Sequence, residues 1–238
     1  IDILPLSSLM KKNNTDLHLH LYGCLNSKSI YNITGQKIDI DYQKPVKKAH
    51  FDVFQNKFNR LISLLPLGNP FEEKIWENVW QFLKKTNISY SELRVTVPYK
   101  KGQPNLKNYL HKIVDFFSYL ELKNSTNLDI RLVLSLSRNP DIATYQYAKI
   151  HFALKQHKKL RKYIVGLDFS GFEEPYPPKL YKVLFSKILA DNKQSPKTAL
   201  AILYHVGETY ETISFMSSIR RVWQAQSFGA HRLGHCIS

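Results

Sequence analysis

The sequence predicts an α/β protein of the TIM (β/α)8-barrel type, incomplete here, with about six of the eight strands a closed barrel needs. Three observations lead there. Short apolar runs alternate with amphipathic segments along all 238 residues. Polar and ionisable residues collect where the apolar runs end. No Gly-rich phosphate loop follows the first run, which argues against a doubly wound dinucleotide sheet. Alternating strands and helices imply right-handed βαβ units and a parallel sheet. In a barrel every strand C-terminus opens on one mouth, where chemistry gathers. The length suits one domain, so residues 1–238 are read as a single barrel unit.

Residues 1–14 read as a lead-in with Pro5 and a polar end. A strand follows at 16–21, and Gly23 marks its exit. Residues 27–33 suit a short helix, and 34–50, polar with Gly35 and Pro45, suit a loop. Phe51, Phe54, Phe58, Leu61, Ile62 and Leu65 recur at three and four, predicting a helix over 51–65 that stops at Pro66 to Pro70. Ile75, Val79, Phe82 and Leu83 give the same signal over 72–85. A strand at 91–97 closes at Pro98. Leu106, Leu110, Ile113, Val114 and Phe117 line one face of a helix over 105–122. A strand at 129–136, a helix at 141–155 and a strand at 164–169 come next, the last running into Ser170-Gly171. A helix over 177–189 takes Pro178 in its first turn. A strand lies within 198–206, then a helix over 209–228 with Gly229 at C′, then a strand at 232–235.

Hydrophobic residues make up 43% and aromatic ones 13%, enough for a substantial core and too many for a disordered chain. Lys and Arg total 34 against 19 Asp and Glu, a formal +15 that favours anionic partners. The basic places, Lys47-Lys48, Lys100-Lys101 and 155–162, are scattered beside apolar repeats. They read as outer helix faces, so nucleic acid is not the expected partner. Two cysteines, Cys24 and Cys236, are no disulfide framework and predict a reducing, cytoplasmic setting. No apolar run reaches the roughly 18–20 residues of a membrane span. The chain begins at Ile1 rather than Met, as an excised piece of a longer protein would.

The chemistry starts in Leu17-His18-Leu19-His20-Leu21. Strand alternation turns His18 and His20 to one face and the leucines to the other, where they anchor the strand on a packed layer. Two imidazoles so placed can chelate one cation; they can equally be ordinary histidines of a half-buried strand. Tyr204-His205-Val206-Gly207-Glu208 sets a histidine at a strand end, then a flexible glycine, then a carboxylate. Alone, His205 reads as a core histidine, and Glu208 as a carboxylate steadied by a helix dipole. His231-Arg232-Leu233-Gly234-His235 delivers a further histidine at another strand end. Together they describe a His-rich zinc site with a non-ligand glutamate as general acid/base.

These three motifs, in this order, resemble the adenosine deaminase family of the amidohydrolase superfamily. Phe54-Gln55-Asn56-Lys57-Phe58 is similar to its helical lid, Glu92-Leu93-Arg94 to its strand two, and 165–171 to its strand-four motif. The resemblance covers about residues 15–238. It implies a hydrolase acting on a cyclic amidine C–N bond: a 6-aminopurine (adenosine, adenine or a related nucleoside or nucleotide) becomes the 6-oxopurine and ammonia leaves. It implies Zn2+ held by His18, His20 and His205, with an aspartate from strand eight, and a hydroxide available near neutral pH. Glu208 would protonate ring N1, and His235 would orient the hydroxide and move its proton. His20, Tyr22 and Gly171 would meet the substrate, with Phe54 and Phe58 over the mouth.

Two positions depart from the family. Tyr22 stands where the family usually carries an acidic residue that contacts the sugar, which leaves nucleoside, base and nucleotide open. The strand-eight Asp-Asp should follow His235, yet the chain stops at Ser238, so the chain as given is expected to be inactive. Asp168, in strand four by the resemblance, is no substitute. Two other readings stand beside this one. A non-catalytic barrel module of a larger protein would hold no stoichiometric metal. A metal-dependent phosphodiesterase or nuclease also begins with His-x-His, but needs further ligands that Arg94, Ser135 and Asp168 do not supply.

Overall fold

The computed structural model describes residues 14–38, 51–86, 88–99, 102–124, 127–208 and 213–236, with the side chains of 51–55 also outside the described set. The lead-in at 1–13, most of the loop over 39–50 and the first residues of the helix expected from 209 therefore lie outside the described residues.

Six strands form one sheet: β1 Asn14–His20, β2 Ile88–Thr96, β3 Asp129–Leu136, β4 Ile164–Phe169, β5 Ala201–Val206 and β6 Arg232–His235. Their spatial order is their chain order and every neighbour pair is parallel. Between them run α1 Ser27–Thr34, α2 Phe51–Leu64, α3 Glu72–Lys85, α4 Leu106–Asn124, α5 Pro140–Gln156, α6 Lys158–Tyr163, α7 Lys182–Gln194 and α8 Phe215–Ser227. The sheet curls into a nearly closed wall. The rings of His18 on β1 and His235 on β6 have centroids 5.4 Å apart, and Arg232 of β6 pairs with the Glu92 carboxylate of β2. This is a barrel wall of six parallel strands with helices around it, as the alternation predicts.

The central strands read as continuous apolar runs because both faces are covered. Ile130, Leu132, Val133 and Leu134 on β3 are fully buried. β1 behaves differently, because it pairs on one side only among the described residues. The expectation that Leu17, Leu19 and Leu21 anchor it together needs correcting. Leu17 is 43% exposed, Leu19 is partly buried against the core, and Leu21 is buried in a 3-10 turn spanning Leu21–Cys24.

The helices pack their predicted stripes with local exceptions. On α3 the buried stripe is Ile75, Trp76, Val79, Trp80 and Leu83, and Phe82 is turned outward. The two tryptophans shift the centre of that face by about one residue. The helix expected over 177–189 is divided into a 3-10 turn at Pro178–Tyr181 and then α7. Tyr181 is fully buried and its hydroxyl bonds the Arg138 carbonyl, which ties that turn to the barrel mouth. α8 starts at Phe215 because Ser214 caps it, its side chain accepting the Ser217 N–H. Among the described residues no helix is long and apolar enough to cross a membrane.

Gly229, expected at C′ of the last helix, has φ 103°. A Cβ there would also come within 2.5 Å of Leu189 Cδ1 on α7. Gly229→Ala is expected to destabilise by about 1–2 kcal/mol through backbone strain and this clash. A thermal melt should show a drop of roughly 2–8 °C for a domain of this size.

Candidate metal and active site

Parallel strands place their C-terminal residues at one mouth, and the ionisable groups meet there. β1 supplies His18 and His20, β5 supplies His205 and β6 supplies His235. The Nε2 atoms of His18 and His205 are 3.0 Å apart, and those of His20 and His205 are 3.3 Å apart. Tetrahedral zinc with bonds of about 2.0–2.1 Å to nitrogen spaces its ligand atoms by roughly 3.3–3.4 Å. Both spacings to His205 are close to that value, and imidazole nitrogen is a suitable zinc donor. Donor atoms of His18, His205 and His235 lie within 4.8 Å of one another, as do those of His20, Asp168 and His205.

Asp168 on β4 explains why His205 points this way. Its carboxylate is fully buried, and Oδ1 lies 2.9 Å from His205 Nδ1. A protonated Nδ1 donating to Asp168 leaves the Nε2 lone pair facing His18 and His20. Ser135 donates to the other carboxylate oxygen at 3.3 Å. Burial alone would raise the Asp168 carboxyl, but His205, Arg94 and His20 hold it well below the usual carboxylate range. Arg94 Nη1 stands 3.3 Å from His205 Nε2, so a guanidinium borders the donor cluster. Arg138 braces the same strand ends. It donates to the Phe169 carbonyl at 2.6 Å and to the His205 carbonyl at 2.9 Å, and its guanidinium lies 4.3 Å from the Tyr204 ring centre.

The glycine before His235 has a packing reason. A Cβ on Gly234 would sit 3.1 Å from His18 Cε1 and 3.2 Å from His205 Cγ and Cδ2. Only a bare backbone lets the two rings approach so closely. His235 itself has φ 68° and Cys236 has φ 52°, left-handed conformations that non-glycine residues seldom take.

Burial, then Arg94 and the neighbouring histidines, push His18 down to about 3. Burial chiefly pushes His20 down to about 4, against the opposing pull of Asp168. Both imidazoles are therefore neutral near pH 7, with lone pairs free to bind a cation. The unfolded chain takes up these protons below about pH 6.5 while the folded chain refuses them until pH 3–4. Stability should therefore fall as pH drops from 6.5 to about 4. Urea midpoints across that range, in metal-free buffer, should decline, and less steeply in His20→Asn. His18 is the more exposed ring and should contribute less.

A cavity of about 610 Å³ opens beside the cluster, within the range of small-molecule sites. His18, His20, Phe58, Gly171, Glu208 and His235 all face it. Glu208 Oε1 lies 3.4 Å from His235 Nε2. Burial raises the Glu208 carboxyl and lowers the His235 imidazole from their ordinary values. An acid inclined to keep its proton thus sits beside a neutral base.

Of the residues singled out from sequence, His18, His20, Phe58, Gly171, His205, Glu208 and His235 come together here. Tyr22 does not. It is 5% exposed, packs in the core, and donates its hydroxyl to the Leu65 carbonyl at 3.1 Å. Phe54 lies on α2, but its side chain is outside the described residues. Sequence reasoning missed the support given by Asp168, Arg94 and Arg138. Their signals were position, as charged residues at the ends of apolar strands, and, for Arg94 and Asp168, the stretches 92–94 and 165–171.

No family model matches the chain. It is 26% identical over 239 residues to an adenosine deaminase of Clostridium kluyveri, covering 93% of this chain and 61% of that protein. The chain spans less than two thirds of the length of the curated relatives it matches. Among solved structures, a zinc-bound amidohydrolase from Burkholderia ambifaria superposes with a TM-score of 0.62 at 15% identity, over 99% of this chain and 62% of that one. The N6-methyl-AMP deaminase of Arabidopsis thaliana gives 0.57 at 20% identity, over 94% and 64%. Motif order and sequence similarity support the resemblance to the adenosine deaminase family, and the barrel fold agrees with it.

Proposed function

We propose that this site serves hydrolytic deamination of a 6-aminopurine, giving the 6-oxopurine and ammonia. The observation that carries the reading is the meeting, at one cavity, of three imidazole Nε2 atoms with the Glu208–His235 pair. Zinc, held by His18, His20 and His205, would supply Lewis acidity and make water acidic enough to act as a nucleophile near neutral pH. Glu208 holds a proton for the purine ring nitrogen, and its raised carboxyl suits that task. His235, kept neutral by burial, accepts a proton from the attacking water at Nε2. Gly171 offers a backbone contact to the purine at the cavity wall, and Phe58 closes the wall with apolar surface that excludes water. Asp168 acts through His205, holding its Nδ1 proton so that Nε2 stays a donor.

The relatives named for deaminating adenosine and N6-methyl-AMP support a purine and leave its substituents open. The test is an amine-release assay on the whole protein with zinc, reading ammonia from adenine, adenosine and AMP and methylamine from their N6-methyl forms. Ammonia or methylamine matched by oxopurine from at least one of them is expected. No release from any, with one zinc bound per chain, would reject the reading.

A further inference from the structure

We propose that Glu173 is the positioning residue for Glu208, holding the turn on which that acid stands. Neither the motif order nor the resemblance assigns Glu173 a role, and its side chain is not part of the cavity wall. It lies just beyond β4 and is 1% exposed. From there it reaches the exit of the adjacent strand β5. Its Oε2 accepts the Gly207 N–H at 3.0 Å and the Glu208 N–H at 3.3 Å. Two successive amides aimed at one carboxylate oxygen fix the peptide planes on both sides of Gly207. Gly207 has φ 76°, a left-handed turn that other residues resist. That turn carries Glu208 out of the strand direction and into the cavity.

The backbone that carries Glu173 is itself held. Arg221 on α8 donates to the Glu173 carbonyl at 2.6 Å and to the Glu174 carbonyl at 3.1 Å. Its guanidinium also lies 3.9 Å from Glu173 Oε1. The chain of support runs from α8 through Glu173 to the Gly207 turn, and ends at the Glu208 carboxyl beside His235. An acid misplaced by about 1 Å can lose about a hundredfold in rate. The inference rests on Glu208 being the acid of the proposed reaction.

Two substitutions separate reach from charge. Glu173→Gln keeps an oxygen at full reach and loses the charge. Glu173→Asp keeps the charge and falls one methylene short of the two amides. Kinetics of the whole zinc-loaded protein are read together with amide exchange at Gly207 and Glu208. Glu173→Asp should lower kcat about a hundredfold, leave KM within about threefold, and lose protection at both amides. Glu173→Gln should stay within about fivefold of the parent and keep that protection. If Gln falls as far as Asp, or Asp keeps its rate and protection, the proposal is overturned in favour of a charge or packing role. If the parent releases neither ammonia nor methylamine from any purine, the deaminase reading fails, and amide exchange alone judges Glu173 by the same pattern. Should neither variant fold, the parent decides. Gly207 and Glu208 amides as protected as those of β5 uphold the proposal, and exchange at open-loop rates overturns it.

Discussion

Glu208→Gln is expected to lower kcat for purine deamination by about 10²–10⁴-fold, the span usual for loss of a positioned acid or base. The substitution keeps the side chain's size, so its place in the wall survives. What disappears is an acidic proton. Glu208 is partly shielded, and burial raises its carboxyl, so the parent holds that proton at a higher pH than an exposed glutamate would. The amide has none to give to a ring nitrogen. Bound zinc should stay at the parent level, because Glu208 is not among the clustered donor atoms. Unchanged KM, unchanged metal and a rate loss of this size would mark Glu208 as acting in the transition state. A loss of less than about tenfold would remove it from the chemistry.

Asp168→Ala should do its damage elsewhere. The carboxylate is fully buried between His205 and Ser135, with Arg94 near by. Removing it frees the His205 ring to turn and to carry its proton on either nitrogen. Loss of such a support commonly weakens metal binding about 10–100-fold. It also leaves buried polar groups without the charge they faced, which costs about 3–5 kcal/mol when one partner of a buried pair is removed. Chelator competition should show the first effect and urea melts the second. Asp168→Asn, which can still accept from Nδ1, should recover most of the zinc affinity and less of the stability. Equal losses in both variants would mean that charge, not orientation, is what Asp168 supplies.

Much of this architecture was legible in the chain. The bounds of β3, β4, β6 and α3 follow the apolar runs and periods residue for residue, because burial on both faces or along one stripe leaves a local trace. The clustering of four histidines also left a local trace: His18 and His20 alternate with leucines along β1, and His205 and His235 stand at strand ends. Leu17 and Phe82 went the other way. Their exposure depends on what lies across from them, which a local period does not record. Tyr22 was judged by a motif position, yet its hydroxyl is taken by Leu65, a residue on another element. Asp168 shows the limit most plainly. Nothing near it in sequence marks it as the partner of a ring 37 residues away, and only the pairing of β4 with β5 brings them together.

One consequence concerns how the metal would come and go. His205 sits on β5, laddered on both sides and braced by Asp168 and Arg138. His18 and His20 sit on β1, whose residues are all exposed or half-buried and whose Leu17 faces outward. Two of the proposed donors thus belong to a lightly packed strand and the third to a buried one. Exchange of the ion would then follow local breathing of β1, with His205 as the last donor to let go. The off-rate of zinc should track amide exchange along Asn14–His20, and remain almost indifferent to changes in global stability made on the far side of the barrel.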